Sequence, residues 1–366
     1  MAISNVTVSG VQYDILASTL RILRDKEVDN TFRNIPLLEA CQRHANIEKV
    51  DGGSYVDAPV ILTDHSSITN LVSGYESINL AVKDPLRTAN YKWCDFLAPV
   101  VLADTEALSN KGERAVVKIL EARLKSVMGM LKREWEKQIV AGSSTVLTNL
   151  ESLYYGGTGG TQGWFSGDAF GSQVGTVGGI AQGSFPTAWQ HQRVGGVAYN
   201  PTTNTISENF AQIYVDSQIY APQGQIDIIL CSPALYRQYK TELETRERYT
   251  SVAATKDMAG KLVLMFNGAA CYVEPFMLDA AGNSGLQQYL TSTGNAVAPN
   301  EYVHAYLLNS SLFNLYFDKD AFFTLGDMER ISGYAAASAN IMTRVQMTTQ
   351  NLSGHGVLSF PQQTFP

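Results

Sequence analysis

The feature that most constrains the fold of this 366-residue chain is the regular apolar spacing between residues 110 and 142. Asn110 can cap the start of a helix there, with Glu113 as its capping-box partner, and Gly142 marks the stop. A helix of that length extends about 46 Å, whereas globular helices average roughly 11 or 12 residues. The apolar residues recur every three or four positions, at Val116, Leu120, Leu124, Val127, Met128, Leu131, Trp135 and Ile139. The pattern predicts either a long core helix of an ordinary α+β enzyme or a spine across a flat subunit.

The residues before this helix predict extended structure. Residues 1–50 read as an arm with one helix near 14–25 that depends on contacts elsewhere for its stability. Two strands are expected at 54–63 and 88–104, on either side of a polar tip at 64–87. A tip of this length is uncommon in a compact domain unless it is functional, so we expect it to lie against a neighbour.

The residues after the helix change character twice. Residues 142–196 combine many glycines with aromatic residues, which predicts an ordered irregular connector, because glycine permits tight turns and aromatic rings supply anchoring area. From residue 205 the pattern is that of an α+β domain. The expected elements are helices at 206–220 and 233–246, strands at 226–231, 262–266, 270–274, 302–308 and 312–317, and a last strand within 341–360.

Composition narrows the function classes. The chain has 27 basic and 34 acidic residues and a net charge of −7, so it lacks the overall positive field of a nucleic-acid binder that acts alone. Its cysteines, Cys41, Cys94, Cys231 and Cys271, are far apart and predict neither a zinc cluster nor a redox pair. We expect no secretion signal and no membrane span.

No catalytic constellation is apparent. The glycine cluster at 156–163 lacks the spacing of a dinucleotide-binding loop, and Ser166 is misplaced for a nucleophile elbow. The histidines are scattered, at His44, His65, His191, His304 and His355. We therefore predict no catalytic residues, no metal ligands and no cofactor.

Basic residues outnumber acidic ones on the long helix, although the chain as a whole is acidic. One interpretation is local ion pairing on a solvated helix face. The other is a face turned toward a polyanion, bound weakly and without sequence preference. The candidate residues are Lys118, Arg123, Lys125, Lys132 and Arg133.

The order of these parts resembles the major capsid proteins of tailed bacteriophages, which share the Hong Kong 97-type fold. The resemblance runs from about residue 50 to the end and rests on the order of its motifs rather than on any single motif. Those motifs are Glu121-Ala122-Arg123-Leu124, Val177-Gly178-Gly179-Ile180 with Pro186 and Trp189, residues 226–239 with Arg248-Tyr249, residues 261–274 around Asn267-Gly268, Leu307-Leu308-Asn309, Leu315-Tyr316-Phe317, Phe322-Phe323, Gln350-Asn351-Leu352 and Gly356-Val357-Leu358. The acidic–basic pair that usually follows Gly-Gly-Ile in that family is replaced here by Ala181-Gln182-Gly183.

The resemblance implies an α+β capsid fold and a division of the chain. Its parts are an N-terminal arm (1–50), an extended hairpin or E-loop (51–104), a peripheral (P) domain (105–204) with spine helix 110–142 and the glycine-rich connector, an axial (A) domain (205–335), and a returning strand with the C-terminal tail (336–366). The spine core is expected at Leu120, Leu124, Leu131 and Trp135. The hairpin tip is expected to touch another subunit through Ile68, Leu71, Val72, Ile78, Leu80 and Val82.

The resemblance also implies a non-enzymatic function, assembly of an icosahedral phage head around double-stranded DNA. The implied partners are other copies in hexamers and pentamers, packaged DNA bound non-specifically, a separate scaffolding protein, a portal and optionally a decoration protein, with no membrane. The location is the virion, after assembly in the host bacterial cytoplasm. Two alternatives stay open, an encapsulin-like nanocompartment shell and, more remotely, a glycine-rich enzyme.

Overall fold

The computed structural model describes residues 35–44, 46–63, 74, 84–109, 113–141, 150–151, 153, 163–165, 175–195, 199–221, 224–246, 255–256, 262–277, 302–327, 329–330 and 333–361. Their helices and strands are α1 (Pro36–Arg43), β1 (Ile47–Val50), β2 (Tyr55–Ile61), β3 (Leu86–Lys92), β4 (Cys94–Ala103), α2 (Asp104–Ser109), α3 (Glu113–Ala141), β5 (Thr176–Val177), β6 (Ile180–Ala181), β7 (Gln192–Gly195), α4 (Ile206–Tyr220), β8 (Ile228–Cys231), α5 (Pro233–Arg246), β9 (Thr255–Lys256), β10 (Leu262–Phe266), β11 (Ala269–Val273), β12 (Tyr302–Leu308), β13 (Phe313–Asp318), β14 (Thr324–Leu325), β15 (Glu329–Arg330), β16 (Ala336–Thr349) and β17 (Gly356–Pro361).

The chain divides into two compact units. The described residues of the first lie in Asp95–Trp135 and Asp318–Arg344, and those of the second lie in Asn34–Cys94, Glu136–Phe317 and Val345–Pro366. None of the helices that the structure describes has the length and apolar character needed to cross a membrane.

The second unit is built on a mixed sheet with strand order β7-β17-β12-β8-β11-β10-β9. Strand β8 lies inside it, parallel to β11 and antiparallel to β12. Its core includes Phe210 of α4 and Tyr239 of α5, whose rings meet edge to face at 5.5 Å. Helix α4 begins with a full capping box, in which Thr205 and Glu208 satisfy each other's backbone N–H groups. This unit is therefore an α+β layer structure with its own apolar core.

The first unit contains most of α3 and of β4, together with β14, β15 and the first part of β16. Trp135 is buried between the rings of Phe96 and Phe323, at centroid distances of 6.5 and 4.9 Å. On the surface, Arg344 of β16 forms ion pairs with Asp95 at 2.6 Å and with Asp318 at 3.4 Å. An aromatic cluster and a three-residue ion-pair group therefore join the segments of this unit.

Sequence periodicity predicted several elements well and failed at two strand breaks. Helices α4 and α5 have the expected bounds, and α3 covers the expected spine, with residues 110–112 outside the described residues. The single strand expected at 88–104 is wrong, because β3 pairs with β2 whereas β4 pairs with β16. The single strand expected within 341–360 is also wrong. A turn at Leu352–Gly354 separates β16 from β17, which pairs with β12 and β7.

The segment expected to be an arm contains an element that its pattern did not predict. Helix α1 buries Leu37, Leu38, Ala40 and Cys41 within the second unit. Its apolar residues follow a proline in a short stretch, too short for a clear helical period. The helix predicted near residues 14–25 lies outside the described residues.

Candidate functional site

The predicted basic residues of α3 have different surroundings. Arg123 donates to both carboxylate oxygens of Glu106, at 2.8 and 2.9 Å, and to the Val101 carbonyl at 2.9 Å. This guanidinium hydrogen bond lowers the pKa of Glu106. Lys132 lies 5.9 Å from the ring centre of Phe323.

Lys125 is exposed and Arg133 is partly exposed. The side chain of Lys118 lies outside the described residues. The five candidates therefore include one guanidinium held by an acid of its own unit and three cations, Lys125, Lys132 and Arg133, on the described part of the helix.

The predicted spine core is buried toward the end of α3. Leu131 and Trp135 are buried and Leu124 is half-buried. The side chain of Leu120 lies outside the described residues. Among the described side chains of α3, most of those in the final turns are therefore buried.

The hairpin β2–β3 exposes large apolar side chains at both ends of one face. Its strands pair from Tyr55↔Lys92 to Ile61↔Leu86. Ile61 is 70% exposed, Leu86 57% and Tyr55 56%. The tip residues predicted to touch a neighbour, Ile68, Leu71, Val72, Ile78, Leu80 and Val82, lie outside the described residues.

The hairpin and the end of α4 line a common cavity. Ile61 and Tyr220 both belong to its wall, and its volume is about 350 Å³. Val215 and Ile219 of α4 are exposed as well. Large exposed apolar side chains therefore occur on both elements, and such side chains are candidates for contact with another protein.

The opposite face of the hairpin is fixed at its base by a glycine turn between β5 and β6. The carbonyl of Gly178 accepts a hydrogen bond from the Asn90 N–H at 2.9 Å. Gly178 has a φ of +56°, and a Cβ there would lie 2.8 Å from the Cβ of Ala89. The Tyr91 hydroxyl donates to the Thr349 carbonyl at 2.9 Å. Strand β3 is thus held at its base while its outer face is free of cover in the described chain.

The residues that follow Gly-Gly-Ile take part in a neutral hydrogen-bond network. Gln182 is fully buried, donates to the Trp164 carbonyl at 3.1 Å and lies 2.9 Å from Nδ1 of His191. Burial lowers the pKa of His191 to about 3, so the imidazole is neutral in the folded protein. An amide and an imidazole therefore satisfy each other inside the protein at this site.

Sequence reasoning missed the fully buried carboxyl groups of Glu136 and Glu274 and the half-buried one of Glu151. Burial raises the pKa of Glu151 to about 7, although it accepts a hydrogen bond from the Gly178 N–H at 3.4 Å. Glu136 follows the core residue Trp135, which is a weak signal. Nothing near Glu151 or Glu274 in the sequence distinguishes them from solvated acids.

The described residues contain no group of three or more His, Cys, Asp or Glu that could hold a metal ion. His355, like His191, is a core residue. Its Nδ1 accepts from the Asn309 N–H at 3.2 Å, and burial lowers its pKa to about 3. The observed polar clusters of the described chain fasten elements together, and the feature that faces outward is the apolar hairpin surface.

No protein-family model matches the chain, and no curated protein matches it. Solved structures match it along nearly its whole length. The cyanophage A-1(L) capsid asymmetric unit has a TM-score of 0.57 at 14% identity, over 92% of this chain and 96% of that one. The holo-SrpI encapsulin complex from Synechococcus elongatus has a TM-score of 0.55 at 11% identity, over 99% and 100%. The capsid of an empty GTA particle has a TM-score of 0.52 at 13% identity, over 99% and 100%. The chain has the α+β fold that these shell-forming proteins share.

Proposed function

We propose that this chain is a major capsid protein, which self-assembles into the icosahedral head of a tailed bacteriophage enclosing double-stranded DNA. The observation that carries the proposal is the similarity of fold to phage and GTA capsids along nearly the full length of the chains. In this Hong Kong 97-type scheme, β2 and β3 form the base of the E-loop and α3 is the spine of the peripheral domain. The sheet with α4 and α5 supplies the axial domain around the centre of each hexamer or pentamer.

The exposed apolar face of the hairpin supports assembly through this surface. A two-stranded hairpin is at best marginally stable alone in water. Ile61 and Leu86 form a cross-strand pair with both side chains exposed. A neighbouring subunit that covers this face would remove apolar area from water, as in obligate interfaces of more than about 2,000 Å².

The basic excess on α3 supports an inner surface that faces packaged DNA. Lys125, Lys132 and Arg133 are the described cations for this role, because Arg123 is bound to Glu106. Attraction of this kind is non-specific and falls steeply with salt. A separate scaffolding protein, a portal and a decoration protein complete the proposed set of partners, and the virion is the proposed location.

An encapsulin-like compartment is the second candidate function, since a holo-encapsulin complex is among the similar structures. Such a shell would hold protein cargo in place of a genome. The exposed hairpin is expected in both cases, so it does not discriminate between them. The contents of the particle discriminate between a capsid and a compartment.

Electron microscopy of the protein purified from expressing cells, and of particles isolated from infected cells, tests the proposal. We expect closed icosahedral shells, with double-stranded DNA in the infection-derived particles. A chain that stays monomeric under all assembly conditions, with or without a scaffolding protein, contradicts a shell function. Shells that contain a protein cargo and never DNA favour the compartment.

Deletion of residues 66–84 tests the hairpin. We expect a folded subunit that forms no shells, because the tip is proposed to contact a neighbour. Circular dichroism and urea unfolding of the deleted chain serve as the folding control. Normal particles from the deleted chain would overturn the proposed contact.

Replacement of Lys125, Lys132 and Arg133 together by Gln tests the DNA-facing surface. We expect the variant particle to retain less DNA than wild type as salt rises. The control replaces the exposed residues Lys49, Lys240 and Lys319 by Gln, which removes the same charge elsewhere. Equal DNA retention by the two variants at every salt concentration would show that the α3 cations have no special role.

A further inference from the structure

Helix α1 is held at its N-terminus by a carboxyl group from a distant part of the chain. Oε1 of Glu136 accepts from the Leu37 N–H at 2.8 Å, and Oε2 accepts from the Leu38 N–H at 3.1 Å. The first N–H groups of a helix have no partner within the helix, so Glu136 supplies what α1 lacks. Both the helix N-terminus and Glu136 are buried in the second unit.

A second carboxyl group lies against the first. Glu274 is fully buried and follows β11, where its Oε1 accepts from the Phe276 N–H at 3.0 Å. The charge of Glu274 is one of the causes that raise the pKa of Glu136, after burial itself. Two neighbouring buried carboxyl groups repel each other strongly when both are ionised, so their arrangement favours retention of a proton.

Few other groups offset the cost of burying the charge of this pair. Within the described chain, the N–H groups of Leu37, Leu38 and Phe276 are its only hydrogen-bond donors. The charged and titratable side chains on the elements packed here are Lys137 of α3, Glu39, Cys41 and Arg43 of α1, His44 after it, Asp227 and Cys231 at β8, Tyr272 of β11 and His304 of β12.

The cations in this set have other contacts. Arg43 lies 5.7 Å from the ring centre of Tyr272, and His44 pairs with Asp227 at 3.3 Å. Burial raises the pKa of both carboxyl groups of the pair, that of Glu274 to about 7. Both shifts favour the protonated form, so the folded protein favours retention of a proton by the pair.

We propose that Glu136 and Glu274 share one proton that controls the docking of α1, so that loss of this proton at alkaline pH releases the helix. Two buried negative charges in contact repel each other, and neither is solvated. Release of α1 lets water reach both groups. This device does not depend on the proposed shell function, because it concerns contacts within one chain.

The direction of the pH dependence follows from linkage. The docked pair has a raised pKa, whereas a solvated glutamic acid has a pKa near ~4.3. Docking is therefore favoured at low pH and weakens as pH rises. Above about pH 7 the released state holds one proton fewer than the docked state, so the released fraction increases about tenfold per pH unit.

The buried thiol of Cys41 on α1 reports this release. The experiment labels the full wild-type chain with a thiol reagent between pH 7 and pH 9.5 and locates the label by peptide mass spectrometry. Rates are divided by those of the urea-unfolded chain at each pH, which removes the intrinsic reactivity of the thiol. We expect the corrected Cys41 rate to rise about tenfold per pH unit, while Cys94, Cys231 and Cys271 stay protected. A flat Cys41 profile, or an equal rise at all four cysteines, would overturn the proposal.

Glu274→Gln supplies the discriminating variant. Its amide donates to Glu136 at every pH, so no shared proton is needed and the Cys41 profile is expected to be flat. Glu136→Gln is expected to flatten the profile at a higher overall rate, because a neutral amide holds the helix N-terminus less strongly. An unchanged slope in either folded variant would contradict the shared proton. The wild-type profile alone decides the matter if neither variant folds.

Discussion

The central sheet of the second unit and the hairpin β2–β3 use similar apolar residues in opposite ways. Every residue of β8 is buried, because strands flank it on both edges and helices cover the sheet. In the hairpin, Ile61 and Leu86 pair across the strands and yet remain mostly exposed. The residue types predict a strand in both cases. The covering layer decides whether that strand stabilises its own chain or offers a surface to another.

The base of the hairpin lies between these extremes. Gly178 and Tyr91 fasten one face of β3 to the rest of the second unit, and the half-buried Glu151 lies beside them. The second unit therefore has three levels of cover: a covered sheet, a hairpin base held by a few contacts, and an uncovered hairpin face. Each level predicts a different response to mutation.

The largest loss of stability is expected from Phe210→Ala in the covered region. The ring is fully buried between Tyr239 and Phe266, so its removal should lower the free energy of unfolding by about 3 to 5 kcal/mol. Urea unfolding of the unassembled chain measures this. Val215→Ala on the exposed side of the same helix is the control and should change it by less than about 0.5 kcal/mol. Similar losses of unfolding free energy for the two variants would show that Phe210 is not a buried core residue.

The hairpin base should show a pH effect of up to about 3 kcal/mol through Glu151. Its raised pKa, about 7, means that the protonated form is favoured in the folded state, so this contribution is present at low pH and lost as pH rises through 7. Glu151→Gln should remove that part of the pH dependence. The measurement is the difference in unfolding free energy between wild type and variant at pH 5 and pH 8, which cancels the opposite contributions of His191 and His355. A constant difference would show that Glu151 does not titrate in this range.

Gly178→Ala should destabilise the hairpin base by about 2 kcal/mol or more, through the positive φ and the contact with Ala89. Gly179→Ala is a matched control, since its φ is +77° and nothing lies within 4 Å of the added Cβ. It should lose only the backbone contribution, about 1 kcal/mol. Thermal unfolding of both variants separates the contact from the backbone strain. Equal losses of stability in the two variants would show that the contact with Ala89 of β3 does not contribute.

The smallest effect on the isolated chain is expected from Ile61→Ser combined with Leu86→Ser. These side chains contribute little within one chain, so unfolding should change by less than about 1 kcal/mol. Shell formation should nevertheless be lost if the face is an intersubunit contact. Asp57→Ser with Asn90→Ser changes another exposed pair of the same face and should assemble more nearly as wild type does. Normal assembly of the Ile61→Ser, Leu86→Ser variant, measured by electron microscopy, would show that this face is not an intersubunit contact.

Local sequence pattern determined the elements whose stability is local. Helices α4 and α5 are predicted to their ends, because the helical period acts within a few residues. The long helix was predicted for the same reason, as was the α+β class. The basic residues of α3 were also visible, but the ion pair between Arg123 and Glu106 was not, since the two lie far apart in sequence.

Tertiary structure alone decided which segments change partners and which charges lose water. The break between β3 and β4 exists because the two strands join different sheets, and the turn after β16 sends β17 to β12 for the same reason. Glu136 and Glu274 are ordinary acids in the sequence and become a proton-sharing pair only when α1, α3 and β11 come together. Strand pairing and desolvation depend on residues distant in the chain, so no local pattern specifies them.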